Sequence, residues 1–82
     1  MTLTSTSQQV LGELLSSPQG NVYSIKAIFI RNRLGLSNEE IEYAVRDLRV
    51  NGYRITCIHS EKHGIKRIQM NQNEYEQQNN LI

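Results

Sequence analysis

The chain has 82 residues, 38% of them hydrophobic, and a formal net charge of +1. That length allows one domain around one modest core. It holds no apolar run long enough for a membrane-spanning helix, and its single cysteine, Cys57, excludes an internal disulfide and fits a reducing compartment.

Residues 4–7 offer several N-cap candidates, and Val10, Leu11, Leu14 and Leu15 follow at helical spacing, which predicts a first helix over residues 5–16. Ser16-Ser17-Pro18-Gln19-Gly20-Asn21 is dense in turn formers and predicts a surface loop. Ser24 reads as the N-cap of a second helix ending at Leu34, with Tyr23 and Ile28 at the two positions of a hydrophobic staple. Its inward stripe is Ile25, Ile28 and Phe29, while Lys26, Arg31, Asn32 and Arg33 point outward.

Gly35 marks a tight turn, and a third helix is expected over residues 37–50. Ser37 followed by Glu40 is a capping box, in which the hydroxyl and the carboxylate each accept a hydrogen bond from a backbone N–H. Ile41, Val45 and Leu48 recur on one face with Ala44 beside them, and Asn51-Gly52 ends the helix. A helix-turn-helix of this kind can present its second helix to a partner.

Tyr53-Arg54-Ile55-Thr56-Cys57-Ile58 and Ile65-Lys66-Arg67-Ile68-Gln69-Met70 are strand-like runs. The polar stretch 59–64 between them makes a β-hairpin, with Ile55 and Cys57 facing the helices and Ile68 and Met70 opposite. A hairpin alone is marginal, so it must lie on the helices. The fold class is therefore α+β, a domain over residues 1–70. Residues 71–82 form an Asn/Gln-rich tail too poor in apolar area to order itself.

This order of elements, with the run Ile30-x-x-x-Leu34-Gly35-Leu36-Ser37 followed by Ile41, Val45, Leu48 and a glycine, resembles the N-terminal winged helix of biotin-operon-type repressors and related small bacterial or phage regulators. The resemblance implies a helix, starting at Ser37, that reads the major groove of double-stranded DNA, and a hairpin wing over 59–67 resting on the backbone. By position it assigns Ser37, Asn38, Glu39, Glu42, Tyr43 and Arg46 to the reading face, and Lys62, His63, Lys66 and Arg67 to the wing. Arg46 suits a guanine edge, since a guanidinium forks onto two acceptors. Arg49 suits a phosphate or a local pair with Asp47 or Glu42. Tyr43 faces either a partner or the base of the wing.

All nine basic residues lie between Lys26 and Arg67, against five acids in the same span, a local balance of +4. Glu74 and Glu76 make the tail acidic. A basic body is compatible with nucleic acid. Cys57, His59 and His63 are zinc-type ligands, yet a strand puts only Cys57 and His59 on one face and no fourth ligand is evident, so no metal is expected. Glu39, Glu40 and Glu42 cluster at a helix N-terminus, where the macrodipole keeps carboxylates ionised. General acid chemistry needs the reverse. With no cofactor motif either, an enzyme is not expected. The expected function is a cytoplasmic DNA-binding transcription regulator, without membrane contact, acting as a homodimer or with a protein partner. The alternative is a protein-protein interaction module, an inhibitor or adaptor, docking through Glu39, Glu42 and Tyr43.

Overall fold

Three helices and a four-stranded antiparallel sheet form an α+β fold: α1 (Ser5–Leu15), β1 (Pro18–Gln19), β2 (Val22–Lys26), α2 (Ala27–Leu34), α3 (Asn38–Val50), β3 (Thr56–Ser60) and β4 (Gly64–Asn71). The sheet order is β1-β2-β4-β3. The structure, a computed structural model, describes residues 3–62, 64–73 and 75. Among them no helix is long and apolar enough to cross a membrane.

The first helix starts as its cap signals predict. The Thr4 hydroxyl accepts the Ser7 N–H at 3.1 Å, and Val10 and Leu14 are fully buried. The expected loop at 16–21 differs, because Pro18 and Gln19 pair with Tyr23 and Val22 in a tight hairpin. Gly20, at φ 65°, supplies the left-handed conformation that this turn requires. Pro18 sits on the sheet edge, where its missing N–H interrupts no ladder.

The second helix is the main correction. Ser24 does not cap it; Ser24 is buried in mid-strand opposite Gln69, and α2 begins only at Ala27. Val22, Tyr23 and Ile25 have strand-favouring side chains, and their backbone pairs with Asn71, Met70 and Ile68 of β4. This long-range ladder overrides a local cap signal. The late start also reduces the helix's inward positions to Ala27 and Ile30, with Ile25 buried from β2, leaving Ile28 and Phe29 about half exposed at 49% and 50%. No staple forms, since the Tyr23 ring meets Tyr75 instead.

α2 closes on Gly35 at φ 66°, whose N–H donates to Arg31 O, and α3 opens on the Ser37–Glu40 capping box. Both expectations hold. Ile41, Ala44, Val45 and Leu48 are buried against α1, α2 and the sheet. Each fully buried aliphatic side chain of this kind contributes about 1.5–3 kcal/mol of transfer free energy. The core is one cluster, with Ile68 of β4 between Ile25 and Cys57 on the neighbouring strands.

β3 begins at Thr56, three residues later than expected, and extends through His59 and Ser60. A one-residue bulge follows from its register. Ile58 opposes Arg67 and His59 opposes Ile65, so Lys66 is the extra residue. The bulge resets the alternation, and Ile65 stays buried although Ile68 already faces inward. β4 runs on to Asn71, and Gln72 Nε2 donates to Gly20 O and Val22 O at 3.1 and 3.0 Å. The Tyr75 ring lies edge-on to Tyr23 and stacked on Tyr53. The stretch expected as tail thus begins inside the fold; Glu74 and residues 76–82 lie outside the described residues.

Candidate nucleic-acid interface

α3 divides cleanly into two faces. Four residues enter the core, while Glu39, Glu42, Tyr43 and Arg46 lie on the solvent side. Tyr43, which the sequence left between an outward and an inward position, is 75% exposed. Ser37 is committed to the cap: its hydroxyl accepts the Glu40 N–H at 3.2 Å, and the Glu40 carboxylate accepts the Ser37 N–H at 3.1 Å. The carboxylates Glu39 and Glu40 both sit in the first turn, where the helix dipole favours them.

Asn38 is half-buried rather than presented. Arg31 Nη1 donates to its Oδ1 at 2.6 Å, a charge-assisted bond that ties α2 to the start of α3 across the turn. On the other side comes the hairpin. A Cβ on Gly64, which has φ 74°, would lie 3.6 Å from Glu42 Oε1 and 3.9 Å from Asn38 Nδ2. The turn between β3 and β4 therefore packs beside the N-terminal half of α3, and Glu42 borders both elements.

Arg49 pairs with neither Asp47 nor Glu42 in the way the sequence suggested. Its Nε and Nη2 both donate to Ile55 O, at 2.9 and 2.8 Å, and Nη2 also approaches Cys57 Sγ at 3.6 Å. The guanidinium clamps the end of α3 to the entry of β3. Asp47 turns the other way, toward Thr4 of α1.

The cations placed on the wing separate by position. Lys62 is exposed in the turn, and Lys66 is exposed at the bulge. Arg67 is half-buried further down β4, where Nη1 donates to Ser24 Oγ at 2.7 Å. His63 lies outside the described residues. The geometry thus sets the start of β4 beside Glu42 and Asn38, puts Tyr43 beside Thr4, Thr6 and Ser7 at the start of α1, and gives Arg49 and Arg67 partners within the fold.

Cys57 is half-buried, and burial pushes its thiol up from the ordinary value, with the Arg49 guanidinium acting in the opposite direction. Among the described residues no group of three or more His, Cys, Asp or Glu side chains is placed to hold a metal ion.

The sequence missed the Arg31–Asn38 tie and the Arg49 clamp. A signal for the first was present, since a long cation four residues before Gly35 must lie against the turn. Arg49's acceptor is a backbone carbonyl, which carries no residue-type signal. Compared with protein-family models, with curated proteins and with solved structures, the chain has no match.

Proposed function

We propose that this chain is a winged-helix protein that binds duplex DNA, with α3 entering the major groove and the β3–β4 turn on the flanking backbone. One observation carries the reading: the hairpin turn lies beside the first half of α3, within 4 Å of Glu42 and Asn38 at Gly64. A helix end with a hairpin turn beside it suits a groove roughly 12 Å wide and the phosphates along its rim. Lys62 and Lys66 supply the charge that phosphate neutralisation requires. Arg46 supplies a fork for guanine, and Glu39 an acceptor for a cytosine amino group. Ser37 is spent on the cap and Asn38 on Arg31, so the reading face is narrower than the sequence suggests.

The role is a cytoplasmic regulator of transcription or of another DNA transaction, without a catalytic step. A single small module binds weakly, so two copies on half-sites one helical turn apart, or a protein partner, raise its affinity. Amide shifts on adding a random-sequence duplex test the placement. The expected shifts map to residues 37–46 and 59–66, and Arg46→Ala lowers discrimination between sequences by about tenfold. Shifts confined to other surfaces would remove the assignment.

The exposure of Tyr43, at 75%, beside Glu39 and Glu42 favours a second reading. In it α3 docks on a basic protein surface, with the tyrosine as its aromatic anchor. Glu39→Lys with Glu42→Lys separates the two: in the first reading it strengthens sequence-independent DNA binding while lowering discrimination, and in the second it abolishes partner binding.

A further inference from the structure

A second surface, which no residue of α3 lines, is built for a different ligand. Between β1, β2, β4 and α2 lies an open cleft of about 250 Å³ whose wall includes Ser24, Lys26, Phe29, Arg33 and Arg67. Lys26 and Arg67 are directly opposed across the β2–β4 ladder. Like charges in that position repel. Arg67 is nevertheless fixed there, because its guanidinium donates to the Oγ of Ser24, a residue only 4% exposed. Arg33 comes from two turns along α2 and pairs with Glu13 at 3.1 Å, the one ion pair touching the cleft's cations among the described residues. Lys26 also occupies the N-cap of α2, where a cation opposes the helix dipole and no acid follows in the first turn. Three cations thus line one cleft against one carboxylate, a local excess of positive charge that favours a bound anion.

Phe29 defines the rest of the ligand. Its ring is half exposed beside these cations although an apolar side chain gains by burial. An aromatic face next to a cationic pocket stacks a flat base while the cations take its phosphate.

We infer that this cleft binds a nucleoside phosphate, free or as one unit of a nucleic-acid strand, with Lys26, Arg33 and Arg67 on the phosphate and Phe29 on the base. The site stands independently of the α3 surface. Titration of the isotopically labelled full chain with adenosine monophosphate, inorganic phosphate and a short oligothymidylate tests it. Adenosine monophosphate is expected to shift the amides of Ser24, Lys26, Phe29 and Arg67 at lower concentration than inorganic phosphate does. Lys26→Gln, at an exposed side chain, weakens that binding about tenfold with the fold intact. Phe29→Leu lowers adenosine monophosphate to the level of inorganic phosphate. Tighter binding of the oligothymidylate at the same amides identifies the strand as the ligand, and tighter binding of the mononucleotide identifies the free form. Equal binding of inorganic phosphate and the nucleotide, shifts elsewhere, or indifference to Lys26→Gln would overturn the site.

Discussion

The carboxylate of Asp47, on α3, accepts the backbone N–H of Thr4 at 3.2 Å, at the residue that caps α1. A hydrogen bond from Ser7, then the Thr4 N–H, hold the Asp47 carboxyl below its ordinary value, against a smaller opposing effect of desolvation. A carboxylate depressed in the folded state stabilises the fold above its unfolded pKa, and that contribution disappears as pH falls through the folded pKa. Asp47→Asn keeps an acceptor but not the charge. It is expected to lower the melting temperature near neutral pH and to match the wild type in acid below the Asp47 pKa. A difference independent of pH would remove the charge from the explanation.

Gly35→Ala isolates the conformational demand of the helix-turn-helix. Nothing lies within 4 Å of the position its Cβ would take, so no clash contributes. The left-handed backbone at φ 66° does, at about 1–2 kcal/mol for a residue with a Cβ. Urea unfolding should show that loss, with the capping box and the α3 surface unchanged.

Arg49→Lys tests whether that cation works inside the fold. A lysine keeps the charge but cannot fork onto Ile55 O. Stability is expected to fall by about 1 kcal/mol, while the salt dependence of any nucleic-acid binding stays the same. A phosphate-contacting arginine would show the opposite pattern.

Tyr75→Ala should destabilise the fold although it lies near the end of the chain. Its ring meets Tyr23 at 5.8 Å and Tyr53 at 6.4 Å between centroids. Aromatic pairs of this kind contribute about 0.5–1.5 kcal/mol beyond area burial. Thermal unfolding of the full chain reads the effect directly.

The parts of the fold that were legible in the sequence are those with short-range grammar. Thr4, Ser37, Glu40 and Gly35 act within four residues of themselves, and the stripe Ile41, Val45, Leu48 needs only one helix to be read. Residues 22–26 misled because Ser24 carries a cap signal while the deciding partner, β4, lies more than forty residues away. The site divides along the same line. Exposed helix positions followed from the helix wheel, as with Glu42 and Arg46. Arg67, bonded to Ser24 across the sheet, and Arg49, bonded to a carbonyl, depend on tertiary neighbours that no spacing rule supplies. The bulge at Lys66 escaped for the same reason, since a bulge is a property of two strands in register.

Binding of a random-sequence duplex across a range of salt concentrations, for the wild type and for Lys62→Ala with Lys66→Ala, tests DNA binding by the α3–hairpin surface most directly. The expected result is affinity that falls steeply with salt, weaker binding by the double variant at every sequence, and a slope reduced by about one per lysine. No binding by the wild type even at low salt, or an unchanged slope in the double variant, would contradict it and shift the function to the acidic face of α3.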